Sequence, residues 1–405
     1  MYKHRSGAAR IGQARPRSTS PGRQNRRPNR GPLNENVLIV AGEPSGDNLA
    51  GPLVEKIRTK MPDIDFWGFG GQKMRTAGVE TLCDVRELAI MGFAEVIRHL
   101  PAMLGRLKLL ENEALRRKPR GAILVDYPGF NIRLAERIAR HGIPVVYFVS
   151  PQIWAWKFER IKKIKRSVAK MLVILPFEEA IYREASVPVS FVGHPFVDSV
   201  APDVEPLEFR MKLGIDGKFL LLLPGSRTQE VSRLLTPMVK AHEILAEKIP
   251  GLKSVVARST NVPIEIYAPA TARRDIIIAD DIIPTAMFSA DAAISCSGSA
   301  TLQCTCASLP HVITYKTNCI SGMVYRNVIR TKFVGLTNLV AGREIAPELL
   351  QNNATPENLA NAVYPLLADE IANSRMRGDL SAVRASLGKG GVIERAASEV
   401  MRTIL

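Results

Sequence analysis

The sequence predicts an α/β chain built as two Rossmann-like, doubly wound domains facing a central cleft. Three observations carry that expectation. Short apolar runs alternate with longer amphipathic stretches from Asn36 onward. The alternation pauses around Ala201 to Glu208, where Pro202, Pro206 and three acidic residues stand together, and then restarts. Several apolar runs end in Gly-, Ser- or Asp-containing turns, the chemistry expected where a parallel strand hands over to a helix.

In chain order, Val37 to Ala41 reads as a strand ending in the turn Gly42-Glu43-Pro44-Ser45-Gly46-Asp47, and a helix is expected from Asn48 to Lys60. Strands follow at Asp65 to Gly68 and at Ala122 to Val125, the latter stopped by Asp126-Tyr127-Pro128-Gly129. Asn131 to His141 reads as a helix, Pro144 to Val149 as a strand, and Lys170 to Leu175 and Val189 to Val192 complete the first series. The second series runs Phe219 to Leu223 (strand), Val231 to Ile249 (helix), Lys253 to Val256 and Asp275 to Ile278 (strands), Ala292 to Ser295 (strand), Ala300 to Ser308 (helix) and His311 to Tyr315 (strand). Val383 to Leu405 has a helical pattern. The expected division is 1–33 as a basic extension, 34–203 and 204–382 as the two domains, and 383–405 as a helical tail crossing back to the first.

Composition narrows the function. The chain has 405 residues, 46% hydrophobic and 23% charged, enough for sizeable cores. Five cysteines without a CxxC pair disfavour a disulfide framework or zinc ribbon and fit a reducing compartment. The net charge of +16 points at nucleic acid until it is located. Residues 1–33 hold nine Lys and Arg, no Asp or Glu, and almost no large apolar side chains, so the segment is expected to be disordered. It reads either as a solvated extension or as a weak tether to an anionic membrane surface. No apolar run reaches the length of a transmembrane helix.

Polar clusters fall where open parallel sheets bind ligands, past the carboxyl ends of strands. The turn at 42–47 carries small residues and two carboxylates; it is a ligand-facing turn or one in which Asp47 caps the following helix. Leu223-Pro224-Gly225-Ser226-Arg227 places a hydroxyl and a guanidinium at a strand end, which suits a phosphate. Ser295-Cys296-Ser297-Gly298-Ser299-Ala300-Thr301 is a second such turn, with helix capping as the alternative for either. Neither GxGxxG nor GxxxxGK[ST] occurs. Asp126 stands at a strand end followed by Tyr-Pro-Gly, the place for a general base facing the cleft or, taken alone, for a turn residue. His194 reads as a structural hydrogen-bonding residue. Trp154 and Trp156 precede a run of six cations from Lys157 to Arg166, and the 93–110 segment is amphipathic; each is either a lipid-interface element or ordinary core and solvated face.

Ten segments together resemble the lipid-A-disaccharide synthase family, inverting glycosyltransferases of GT-B architecture: AGEPSGD (41–47), GFGGQKM (68–74), LAIMGFAEV (88–96), VDYPGFN (125–131), SPQIWAW (150–156), LPFE (175–178), FVGHP (191–195), LPGSRTQEV (223–231), SGSAT (297–301) and LTNLVAGREIAPELLQ (336–351). They occur in the family's order and cover nearly everything after residue 36. The resemblance implies transfer from UDP-2,3-diacylglucosamine to 2,3-diacylglucosamine 1-phosphate, giving a β-1,6-linked disaccharide phosphate and UDP. It implies Asp126 as base and Ser226, Arg227 and the turn Ser297, Gly298, Ser299, Ala300, Thr301 as the UDP site. Glu43, Ser45 and Asp47 would face the acceptor, and Asn338, Gly342, Arg343 and Glu344 would line the cleft from the other domain. No metal or other cofactor is implied, and no nucleic-acid partner. The lipid substrates imply a cytoplasmic enzyme resting on the inner membrane of a Gram-negative-type bacterium, with the 93–110 and 157–166 segments as its contact. Gln303 departs from the family pattern, which has Glu where ribose hydroxyls are bound; Gln keeps one carbonyl acceptor and loses the charge. The alternatives are another GT-B UDP-sugar enzyme, epimerase or transferase on a soluble acceptor, and, last, a basic nucleic-acid-binding protein.

Overall fold

The computed structural model describes residues 35–85, 100–317 and 331–405. The basic extension, the 88–96 motif, the first part of the 93–110 segment and Cys319 lie outside the described residues. Two parallel sheets organise the rest. The first contains β1 (Asn36–Ala41), β2 (Asp65–Gly70), β3 (Glu80–Asp84), β4 (Gly121–Val125), β5 (Val145–Phe148), β6 (Lys170–Val173) and β7 (Val189–Phe191). Their order is β3-β2-β1-β4-β5-β6-β7, so strand order reverses between β1 and β4. The second contains β8 (Phe219–Leu223), β9 (Lys253–Arg258), β10 (Ile276–Asp280), β11 (Ala292–Cys296), β12 (His311–Tyr315) and β13 (Glu348–Leu350), in the order β10-β9-β8-β11-β12-β13. Here the reversal falls between β8 and β11.

These strands form because uninterrupted apolar runs need cover on both faces. β1, β4, β8 and β11 are buried almost throughout, and helices supply the cover. One face of the first sheet packs against the Leu100–Arg117 and Pro128–Ala139 helices, the other against the Pro44–Lys60 and Val392–Ile404 helices. The Leu100–Arg117 helix buries Met103, Leu107, Leu110 and Ala114, a stripe at helical spacing, and leaves Leu104, Leu109 and Leu115 exposed.

The helices start earlier than the sequence reading placed them. They begin at Pro44, Pro128, Thr228 and Ser299 rather than at Asn48, Asn131, Val231 and Ala300. In each case the turn motif itself forms the first helical turn, and Pro44 and Pro128 sit where a missing N–H costs nothing. Short β3 and β13 and the Pro356–Ala368 helix were not anticipated, and the expected pause after Ala201 contains the Pro206–Lys212 helix. The tail is not one helix from Val383. The Glu370–Ser386 helix ends, Gly388, Gly390 and Gly391 break the chain, and a new helix runs Val392–Ile404. It buries Val392, Ala396, Ala397, Val400 and Ile404 against the first sheet's helical layer.

The two sheet regions are linked where two connections cross. His194 donates its backbone N–H to the Leu387 carbonyl at 2.9 Å. Gly193 and Gly388 lie so close that a Cβ on Gly388 would stand 3.2 Å from the Gly193 Cα, and both have positive φ. Just beyond, Asp198 caps the last helix, accepting from Gly391 N at 2.8 Å and Val392 N at 2.9 Å. Burial holds the His194 imidazole down to about 4, and its Nδ1 accepts from Phe196 N at 3.1 Å, so it is a neutral structural acceptor. Replacing Asp198 with Ala removes both cap bonds, and a loss of about 1–2 kcal/mol in urea-melt stability is expected; Asp198→Asn, with one carbonyl oxygen in place of two acceptors, should fall between Ala and wild type.

Candidate active site

The four turns singled out in the sequence occupy the two positions where strand order reverses. The 42–47 turn follows β1 and the 126–129 turn follows β4. The 224–227 turn follows β8 and the 297–299 turn follows β11. Ligands bind at such reversals because adjacent connections leave to opposite faces and open a crevice at the carboxyl edge.

At the first reversal, Asp126 and Tyr127 are consecutive non-glycine residues at positive φ, 49° and 48°. The strain is held by the backbone. Tyr147 donates its hydroxyl to the Asp126 carbonyl at 2.6 Å, and Asn131 donates Nδ2 to the same carbonyl at 2.8 Å. Both partners are buried, which leaves the Asp126 carboxyl outside this scaffold. Burial, and secondarily the negative charge of Glu43, push that carboxyl up to about 6. Glu43 and Ser45 are exposed beside it.

Asp47 does something else. Its carboxylate is buried and accepts from Gly71 N at 2.7 Å, Lys73 N at 2.9 Å and Met74 N at 3.2 Å. It therefore caps the Gln72–Thr76 helix rather than its own, with both carboxylate oxygens turned to those amides and the side chain buried.

At the second reversal, a cavity of about 400 Å³ is lined by Gly225, Ser226, Arg227 and Glu230 on one side and Ser297, Gly298, Ser299, Ala300 and Gln303 on the other. Arg258, Ser259 and Asp281 complete its rim. The loop is shaped by Glu230, whose Oε2 accepts from Ser226 N at 3.1 Å and Arg227 N at 3.3 Å. Gly225 has φ +115°, and a Cβ there would lie 2.6 Å from that same Oε2, so only glycine fits. Arg227 extends into solvent, 80% exposed, and its Nη1 meets Glu230 Oε1 at 3.1 Å. Thr301 departs from expectation: it is fully buried and donates its hydroxyl to the Gly298 carbonyl at 2.9 Å, so it shapes the turn from behind.

A second cavity of about 450 Å³ adjoins the first, sharing Arg227, Glu230 and Ser297 to Ser299, and is lined from the first sheet region by Gln152, Trp154 and Ala155. Tyr315, Phe333 and Leu336 line it from the second. Trp154 is held in place by a buried carboxyl: its Nε1 donates to Glu178 Oε1 at 3.1 Å, while Glu178 Oε2 accepts from Leu175 N at 3.1 Å. Burial pushes Glu178 up to about 7. Sequence reasoning missed Gln152, Trp154 and Glu178 as a unit; the signal was the pair of motifs 150–156 and 175–178, whose side chains meet only in the folded chain.

The Asn338 cluster is corrected by the geometry. Asn338 is fully buried, with Nδ2 on the Ala346 carbonyl at 2.7 Å and Glu348 Oε1 at 2.9 Å, and Oδ1 accepting from Ile345 N at 2.8 Å and Ala346 N at 3.0 Å. It staples its own loop. Gly342 ends the Leu336–Ala341 helix at φ +68°, Arg343 pairs with Asp379 at 2.7 Å, and Glu344 is exposed; none lines the cavities described. From this element it is Leu336 and Leu339 that reach the cleft.

The architecture is that of a GT-B glycosyltransferase. Solved structures with the same fold include a UDP-N-acetylglucosamine 2-epimerase from Neisseria meningitidis bound to UDP-GlcNAc (TM-score 0.60, 13% identity, 91% of this chain and 100% of that one) and the calicheamicin glycosyltransferase CalG4 (TM-score 0.58, 16% identity, 91% and 98%). The family model for lipid-A-disaccharide synthetase matches residues 37–399. The lipid-A-disaccharide synthase of Myxococcus xanthus is 41% identical over 372 residues, covering 91% of this chain and 97% of that protein. That of Coxiella burnetii is 36% identical over 373 residues, covering 92% and 99%. The chain belongs to the lipid-A-disaccharide synthase family and is an enzyme of lipid A disaccharide synthesis.

Were Asp126 to act as a base it would have to be ionised, and kcat/KM would then fall below about pH 6, roughly tenfold per unit at the limit. In Glu43→Gln the repulsion is gone while burial remains. The acid limb of the pH profile should therefore move to lower pH without reaching the ordinary aspartate range, a shift read directly from kcat/KM between pH 4.5 and 8.

Proposed function

We propose that the chain transfers the sugar of UDP-2,3-diacylglucosamine to the 6-hydroxyl of 2,3-diacylglucosamine 1-phosphate with inversion. Asp126 takes the hydroxyl proton as the oxygen attacks the anomeric carbon. The bond from that carbon to the diphosphate oxygen breaks, and UDP departs with the negative charge. The observation that carries this reading is the unlike chemistry of the two strand-order reversals: a desolvated carboxyl at one, and a Ser- and Gly-lined helix start with an exposed guanidinium at the other. A desolvated aspartate of raised pKa is a better base near neutral pH than a solvated one. Helix N–H groups and Arg227 suit the charge that develops on the leaving diphosphate.

In this reading Ser226, Arg227, Ser297, Gly298 and Ser299 hold the diphosphate, and Gln303 stands at the ribose. Glu43 and Ser45 face the acceptor, and Trp154 stands across the cleft from the donor turns. Apolar side chains support an enzyme that works on acylated sugars at a membrane surface. Leu104, Leu109 and Leu115 are 43–45% exposed, and Trp156 and Phe158 are exposed beside Lys157, Lys162, Lys163, Lys165 and Arg166. No helix among the described residues is long and apolar enough to cross a membrane. That combination fits a peripheral contact, apolar groups at the acyl boundary and cations at anionic headgroups.

Asp126→Asn is expected to lower UDP release by 10²–10⁴-fold in detergent-dispersed substrates while UDP binding persists; near-normal turnover sinks the base assignment. Gln303→Glu should tighten UDP by up to about tenfold, measured by titration, since a carboxylate accepts a hydroxyl proton more strongly than an amide carbonyl does.

A further inference from the structure

A third cavity, of about 280 Å³, lies on the first sheet region, outside the two just described. Pro128, Gly129 and the buried Ile132 form its floor, and Arg133, Lys157, Arg160 and Lys163 stand around it with Glu159 as the one acidic lining residue. A surface this basic is ordinarily interleaved with carboxylates, and most of this one is not. Lys163 pairs with Glu136 at 2.9 Å. Arg133 donates to the Gly129 carbonyl of its own helix turn, which leaves the rest of its guanidinium unoccupied by any carboxylate among the described residues. Lys157 and Arg160 have no acidic partner among the described residues; instead both lie over the same indole, with Lys157 Nζ 4.5 Å and Arg160 Cζ 5.2 Å from the Trp156 ring centroid. Lys157 adopts φ +56° in doing so. Two cations gathered on one ring, with a guanidinium opposite, form a preorganised anion receptor.

We propose that this cavity binds the anomeric phosphate of the acceptor, a phosphomonoester, and so selects which hydroxyl of the acceptor meets Asp126. The inference rests on the reaction proposed above. Two of its lining residues, Pro128 and Gly129, come directly after the Asp126-Tyr127 turn. In a glucosamine ring C1, which bears the phosphate, and C5, which bears the C6 hydroxymethyl, stand on the two sides of the ring oxygen. Anchoring the phosphate in the basic cavity turns the 6-hydroxyl toward Asp126 and the one free ring hydroxyl, at C4, away, which is a positional source of 1,6 selectivity. A phosphomonoester matches the donor set better than a single carboxylate, since it offers three oxygens to the Lys157 ammonium and the Arg133 and Arg160 guanidiniums.

The test compares two acceptors, diacylglucosamine 1-phosphate and the same lipid without its phosphate, in wild type, in Lys157→Gln/Arg160→Gln and in the charge-preserving Lys157→Arg. UDP titration verifies that each variant is folded with an intact donor site. Wild type is expected to prefer the phosphorylated acceptor in kcat/KM, and the double variant to lose that preference by about 10²-fold, roughly tenfold for each charged contact removed. Lys157→Arg should keep most of the preference. A double variant that still discriminates as wild type does overturns the assignment, as does a wild type indifferent to the phosphate. Co-sedimentation with vesicles containing phosphatidylglycerol separates the other source of phosphate: vesicle binding lost in the double variant with acceptor preference kept makes the cavity a headgroup site and overturns the proposal. Absence of UDP release by wild type with either acceptor overturns the reaction proposed above, and this assignment with it.

Discussion

Everything in this molecule that depends on two lobes meeting depends on the crossing at Gly193 and Gly388. Two connections pass there with no side chain between them, joined by the His194 to Leu387 hydrogen bond. Asp198, five residues past the first glycine, then caps the helix that starts just after the second. A single close contact thus sets where the chain leaves one sheet and where it returns. Leu175, Val200 and Leu387 share one apolar cluster with Phe219 and Leu302, so the lobes are continuous in packing as well as in chain. The cleft between Trp154 and Ser297 to Ser299 is the space this junction leaves open at the carboxyl edges of the sheets.

The chemistry divides along the same line. The first lobe supplies carboxyls taken out of water, Asp126 at a strained turn and Glu178 beneath Trp154. Each is supported through its backbone or a neighbouring N–H rather than by a cation, so burial raises both. The second lobe supplies helix N–H groups, hydroxyls and Arg227, with Glu230 used to shape the loop. A site that needs a base at one end and stabilisation of a leaving anion at the other is served by keeping these environments on separate sheets, where neither neutralises the other.

Much of this architecture was legible in the sequence because the signals are local. A buried parallel strand must be an apolar run, and the turn after it must be small and polar, so β1, β4, β8 and β11 and their turns could be placed from residues alone. What could not be read is the direction of side chains. Asp47, Thr301 and Asn338 sit inside or beside correct motifs, yet each turns away from the cleft. The partner of Asp47, at Gly71, is brought up by helix packing, whereas those of Thr301 and Asn338, the Gly298 and Ala346 carbonyls, lie within the same motifs, where residue type does not say whether a side chain turns to the backbone or to the cleft. The Trp154 to Glu178 bond joins residues 24 apart, and the basic cavity joins helix 128–139 to the 157–163 segment. Short β3 and β13 were missed for the opposite reason: edge strands are half-exposed and carry no continuous apolar run.

The Val392–Ile404 helix gives this fold a schedule. Its stripe of Val392, Ala396, Ala397, Val400 and Ile404 completes the core of the first lobe, although more than 170 residues of second lobe are translated in between. On a ribosome that makes the chain from its first residue, the second lobe has all of its strands available before the first lobe has its last cover. The lobe bearing the proposed base is therefore sealed after the second lobe's strands are made, and its apolar sheet face waits until residues 392–404 have left the ribosome.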